Sequence, residues 1–170
     1  PLIKLYADKI DAEFMCISEK TISETTIHWE KFQIYDLLDK YNRILYFDTD
    51  LIIRKDCPDL FDEVPEDKLG MFDEAKFTDR SKELMIDICN KYDEKLPVWN
   101  GKYFNSGVMV ISEIHKKLFK KPDKEIFSFY EQSYLNMMLA KLNIEMHELH
   151  YKFNRMPCLD SFTGEERYNS

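Results

Sequence analysis

Three short runs of the chain carry no charged side chain: Ile44-Leu45-Tyr46-Phe47, Leu69-Gly70-Met71-Phe72 and Gly107-Val108-Met109-Val110-Ile111. Runs of this length, apolar throughout rather than alternating, are the signature of strands covered on both faces. Segments with helical spacing separate them. Residues 2–10 carry apolar side chains at Leu2, Ile3, Leu5, Tyr6 and Ile10, and Trp29–Leu38 stacks Phe32, Tyr35 and Leu38 on one stripe. Residues 78–90 turn Leu84, Met85 and Ile88 inward, and Lys124–Leu142 is apolar almost all round. Phe14–Ile17 reads as a further short buried strand. Ile144–Leu149 alternates and reads as an edge strand. Strands alternating with helices predict an α/β fold with a mixed sheet flanked by helices.

At 170 residues, with 44% hydrophobic and 14% aromatic side chains, the chain fits one packed domain. Its net charge of -8 excludes a basic nucleic-acid-binding surface. The lysine run Lys116, Lys117, Lys120 and Lys121 reads as a solvated face. The four cysteines, Cys16, Cys57, Cys89 and Cys158, have no Cys-x-x-Cys spacing, which argues against a zinc or redox motif and for reduced thiols. No apolar stretch approaches transmembrane length, and a cytoplasmic location is the simplest expectation.

The first apolar run leads directly into Asp48-Thr49-Asp50. Mg2+ and Mn2+ favour oxygen ligands and commonly share them with substrate phosphates. In extended chain, residues two apart face the same side, so both carboxylates are expected to converge. Alone, an Asp-x-Asp pair is as compatible with a turn cap. Its position at the carboxyl end of a buried strand favours a ligand site, because ligands of open α/β sheets bind there.

Other candidates follow from context. Asn105-Ser106-Gly107 opens the third apolar run; the glycine allows close backbone approach, and Asn105 offers both a donor and an acceptor to hydroxyl groups. A plain turn is the alternative. Glu131, Gln132 and Asn136 lie on the apolar helix, where they must be satisfied internally or face a cavity. Lys31 lies off the apolar stripe of its helix; an exposed lysine and a phosphate contact are both open. His28, His115, His147 and His150 show no His-x-x-x-His pairing, and His147 and His150, which flank the edge strand, read as structural or exposed.

Taken in order, Lys31-Phe32, Ile44 to Asp50, Tyr103-Phe104-Asn105-Ser106-Gly107-Val108-Met109-Val110, Glu131-Gln132 and Leu135-Asn136 resemble glycosyltransferase family 8 and its GT-A relatives, over roughly residues 28–155. The resemblance implies a GT-A-type nucleotide-diphospho-sugar transferase fold. It implies metal binding by Asp48 and Asp50, with Asp48 also near the donor ribose. It implies that Lys31 lies near the donor phosphates, that Asn105, Ser106 and Asn154 line the donor, and that Glu131 and Gln132 flank the reacting sugar carbon. The implied reaction is Mn2+- or Mg2+-dependent transfer from a UDP-sugar, with retention, to an acceptor the sequence does not identify. Trp99, Asn100 and Tyr103 belong to the loop expected to face that acceptor.

The sequence departs from the family at both ends. It opens on what reads as the helix after the first nucleotide-binding strand, and it has no late His-x-x-Gly-x-x-Lys-Pro-Trp-type segment. A single domain incomplete at both ends is therefore expected. A non-catalytic GT-A domain is the alternative. A haloacid-dehalogenase-like phosphatase, which also uses Asp-x-Asp, is the more distant one.

Overall fold

The computed structural model describes residues 2–22, 26–79, 81–123, 131–156, 159–160 and 164. In chain order the regular elements are α1 (Leu2–Lys9), α2 (Ile34–Leu37), β1 (Arg43–Phe47), α3 (Leu60–Glu63), β2 (Leu69–Asp73), α4 (Ser81–Lys91), β3 (Phe104–Ser112), α5 (Glu131–Leu142) and β4 (Met146–Glu148). Single 3-10 segments cover Ile27–Gln33, Glu74–Lys76, Glu113–Phe119 and Tyr151–Phe153.

The four strands form one mixed sheet in the order β1-β3-β2-β4. β3 lies antiparallel to both β1 and β2, and β4 runs parallel to β2. The nine-residue β3 is the spine of the sheet. Its period of two divides the core: Met109 and Ile111 join a cluster with Leu69, Met71, Phe32 and Leu135, whereas Val108 and Val110 join Leu60, Val64 and Leu149 on the other face. Both faces are therefore covered, which is why the runs lack polar residues. On the larger face Phe32, Trp29 and Tyr134 meet with ring centroids 5.1–5.7 Å apart. Such tilted and offset pairs add to the burial energy of the rings. Asn136 locks α5 onto the sheet, accepting from the Phe104 amide at 2.7 Å and donating to the Phe104 carbonyl at 2.8 Å.

The three apolar runs, α4 and the β4 edge occur where the sequence predicts them. The Phe14–Ile17 strand does not form. Residues 12–18 have no regular structure, and Phe14 and Met15 are 36% and 47% exposed. An apolar tetrapeptide becomes a strand only when a sheet edge accepts its backbone, and both edges of this sheet lie elsewhere. The helix expected over Trp29–Leu38 is a 3-10 segment followed by the single turn α2. Lys124–Tyr130, the first part of the expected long helix, lies outside the described residues, as does Cys158. The other three cysteines are free thiols. No helix among the described residues is long and apolar enough to cross a membrane. The lysine run is only partly a free face: Lys116 pairs with Asp39 and stacks over Tyr35, and Lys121 donates to the Ile22 carbonyl.

Candidate functional site

The register determines what gathers at one end of the sheet. Phe47 pairs with Val108, so the ladder extends by one bond from the Asp48 amide to the Gly107 carbonyl at 2.8 Å. Asp73 pairs with Phe104, and the Glu74 amide continues to the Tyr103 carbonyl at 2.8 Å. The carboxyl ends of β1 and β2 thus flank the start of β3, residues 104–107. Parallel β4 ends on the same side and delivers Asn154 through the turn Tyr151–Phe153. The pairing of β2 with β3 shifts between Gly70 and Phe72, an irregularity of the kind found beside ligand sites.

Lys31 sits at the centre and is only 3% exposed. Its ammonium donates to Ser106 Oγ at 3.0 Å and to Glu131 Oε1 at 3.1 Å, and lies 3.2 Å from Asp48 Oδ1. An ammonium has three donors, and here oxygens of three side chains surround it, with Asp48 Oδ2 also 3.4 Å away. The surface position open for Lys31 in the sequence does not occur: the 3-10 geometry of Ile27–Gln33 rotates it inward among these acceptors. Ser106 Oγ also donates to Glu131 Oε1 at 3.2 Å, and the Ser106 amide donates to Gln132 Oε1 at 3.0 Å.

Asp48 is half-buried and accepts from the Tyr46 hydroxyl at 2.9 Å. Burial, followed by the charge of Asp48, drives the Tyr46 hydroxyl far above the ordinary tyrosine range, so it stays a donor. Asp50 is exposed. The strand ends at Phe47 and a turn begins at Thr49, so the extended-chain alternation expected across Asp48 and Asp50 does not hold. Asp50 nevertheless lies near enough for its charge to act on the Tyr46 hydroxyl.

Asn105 accepts from the Gly107 amide at 2.8 Å and from Asn154 Nδ2 at 2.7 Å. Gly107 is the floor of this corner. A Cβ there would lie 3.0 Å from Asn105 Oδ1, 3.1 Å from Asp48 Oδ2 and 3.6 Å from Asn154 Oδ1. Lys31, Asp48, Asn105, Ser106, Glu131, Gln132 and Asn154 therefore belong to one connected cluster, with Asp50 on its exposed side. Sequence reasoning missed two members, Tyr46 and Glu74. Tyr46 was legible only as an apolar strand residue. Glu74 follows β2 without a motif around it, and its place emerges only from pairing across the sheet.

Asp48, Asn105 and Asn154 bring side-chain oxygens together at Gly107, and Asp50 adds an exposed carboxylate. This all-oxygen set suits a hard divalent cation. Among the described residues no three His, Cys, Asp or Glu side chains form a complete cage. The set thus fits Mg2+ or Mn2+ bound by one or two carboxylates and completed by substrate phosphates and water, not a closed structural site.

Of the loop expected to face an acceptor, Tyr103 is instead buried and bonded to Ser133 Oγ at 2.6 Å, with its hydroxyl pushed up to about 12 by burial. Trp99 donates to the Lys102 carbonyl at 2.6 Å within its own loop. His150 caps the turn Tyr151–Phe153, a structural place as expected, and His115 accepts from the Ser112 amide at 3.1 Å.

Comparison with known proteins identifies the fold and the family. General stress protein A of Bacillus subtilis (strain 168) is 25% identical over 166 residues, which cover 85% of this chain and 53% of that protein. The chain thus spans about half the length of this curated relative. The crystal structure of mouse xyloside xylosyltransferase 1 in its apo form superposes with a TM-score of 0.51 at 18% identity, covering 80% of this chain and 56% of that one. That likeness establishes a shared GT-A-type fold. The sequence pattern described as glycosyl transferase family 8 matches residues 11–169, nearly the whole chain, and the chain belongs to that family.

Proposed function

We propose that this domain transfers a sugar from a nucleotide-diphosphate sugar, a UDP-sugar foremost, to an acceptor, with Asp48 and Asp50 holding Mn2+ or Mg2+ against the diphosphate. The observation that carries the reading is the cluster of buried Lys31, Ser106 and Glu131 with half-buried Asp48 at the carboxyl ends of β1 and β2. Buried charged groups are costly and are retained where they act. The family assignment removes the phosphatase alternative.

When bound, the cation would supply Lewis acidity to the leaving diphosphate. The bond between the anomeric carbon and the phosphate oxygen breaks, and an acceptor oxygen takes its place with loss of its proton. Lys31 supplies fixed positive charge beside Asp48, where the negative phosphates would arrive. Glu131, held by Lys31 and Ser106, is a fixed negative group suited to an oxocarbenium-like transition state. Ser106 and Asn154 lie where a sugar hydroxyl could meet a hydroxyl and an amide, Asn105 lines the same corner with its own amide held by Gly107, Asn154 and Glu74, and Gln132 lies beside them. Retention of configuration belongs to the proposal through the family resemblance. The unpaired Cys16, Cys57 and Cys89 support a cytoplasmic site of action.

The test is the thermal shift of the protein with Mn2+ and UDP together, with each alone, and with Asp50→Ala. A shift that needs both ligands and disappears in the variant supports the site. A donor screen on the full-length protein, with a xylose nucleotide among the donors, then reads transfer. Binding without turnover of any donor would favour a non-catalytic domain. No shift with any combination would sink the reading.

A further inference from the structure

Glu74 is a buried carboxylate, 4% exposed, that none of the steps above uses. It begins the 3-10 turn after β2, and its backbone amide is fixed to the Tyr103 carbonyl. Its two oxygens divide their work. Oε2 accepts from Asn105 Nδ2 at 2.9 Å, and Oε1 accepts from Gln132 Nε2 at 3.1 Å.

An ionised carboxylate only accepts hydrogen bonds, whereas a side-chain amide has one donating and one accepting end. Glu74 therefore takes the nitrogen end of both amides. Their oxygen ends must then face the start of β3. Asn105 Oδ1 receives the Gly107 amide and Asn154 Nδ2, and Gln132 Oε1 receives the Ser106 amide. Turning either amide over would set its oxygen against the Glu74 carboxylate at one end and its N–H against N–H donors at the other. Two successive backbone N–H groups, those of Ser106 and Gly107, depend on this arrangement, and an orphaned buried donor is costly.

We propose that Glu74 is a positioning residue for the sugar-transfer reaction: it fixes which end of Asn105 and of Gln132 faces the donor-sugar side of the site. The inference rests on the sugar-transfer reading for its effect on rate, but not for its effect on hydrogen-bond polarity. Glu74 acts through two amides on separate elements, β3 and α5, so one acidic side chain aligns both.

The decisive substitution is Glu74→Gln. The new side chain keeps the shape but has a single accepting oxygen, so it cannot serve both amides. In the full-length protein, the expected result is a fall in kcat for sugar transfer of at least about tenfold, with the Kd for UDP in the presence of Mn2+ changed by less than about threefold. That split separates positioning from general collapse of the site. The thermal midpoint also falls. The exchanged pair Glu74→Gln/Gln132→Glu restores the polarity of these three contacts: the carboxylate at 132 accepts from Ser106 and from the new amide, whose oxygen still accepts from Asn105. This pair is expected to regain the lost thermal midpoint, and to fold even if the single variant does not.

A single variant with undiminished kcat, or with kcat and UDP affinity lost in parallel, overturns the positioning role. An exchanged pair no more stable than the single variant overturns the polarity argument. A wild-type protein that binds no UDP with Mn2+ and turns over no donor instead sinks the sugar-transfer reading, and the stability comparison still decides the role of Glu74 in orienting the amides.

Discussion

Lys31 and Glu131, 100 residues apart in the chain, meet at 3.1 Å. With side chains only 3% and 7% exposed, they form an ion pair almost wholly removed from solvent. The contact ties the segment Ile27–Gln33 to the first turn of α5, and the nearby Asp48 extends it to the end of β1. Replacing Lys31 by Met would leave Glu131 buried without its cation. Breaking such a pair from one side costs roughly 3–5 kcal/mol. Urea denaturation of Lys31→Met should show a loss of that order. Lys31→Arg should not rescue it, because the longer, planar guanidinium does not fit the compact buried spot that the ammonium fills among these oxygens.

Asp50 behaves oppositely, because it is exposed on the turn after β1. Asp50→Asn should leave the thermal midpoint of the ligand-free protein unchanged, since surface substitutions away from special features are nearly neutral. The same variant should lose the extra stabilisation by Mn2+ plus UDP. An equal shift in variant and wild type, read by differential scanning fluorimetry, would remove Asp50 from the metal site.

Gly107 and Gly70 separate binding from packing. A methyl group at Gly107 would press on Asn105 Oδ1 and Asp48 Oδ2 at 3.0 and 3.1 Å, oxygens of the cluster. Gly107→Ala should weaken UDP binding with Mn2+ about tenfold, equivalent to ~1.4 kcal/mol, measured by calorimetry. At Gly70 the methyl would meet Val64 Cγ2 at 2.6 Å inside the smaller core cluster. Gly70→Ala should destabilise the fold by roughly 1–3 kcal/mol, as overpacking does, without changing UDP affinity in the folded protein.

His115 supplies a pH dependence of stability. Burial depresses its pKa below the ordinary histidine value, and Nδ1 is engaged as an acceptor from the Ser112 amide. The charge of Asp67 opposes the shift, and the Arg43 charge adds to it. The folded protein thus binds fewer protons here than the unfolded chain, so stability rises with pH through this range. The contribution is fully present above about pH 6.5, the unfolded value, and is lost as the pH falls from there toward the depressed folded value. His115→Asn, which keeps an acceptor for Ser112, should flatten the change in urea midpoint between pH 7.5 and 5.5. An unaltered slope would assign the dependence to other groups.

Sequence alone determined the strands at 44–47, 69–72 and 107–111, because a side chain in a doubly covered strand meets apolar surroundings on either face. The family resemblance also singled out Lys31, Asp48, Asn105, Ser106, Glu131 and Gln132, which the fold gathers into one cluster. What the sequence left open depended on partners distant in the chain. Phe14–Ile17 has the letters of a strand, but no sheet edge accepts it. Lys31 has the letters of a surface lysine, yet three acceptors brought by β1, β3 and α5 draw it inside. Glu74 has no motif; its role exists only because the register of β2 against β3 sets it beside Asn105, while α5 brings Gln132 to its other oxygen. Local sequence encodes covering and residue type, whereas hydrogen-bond polarity and charge pairing are properties of contacts that only the assembled sheet creates.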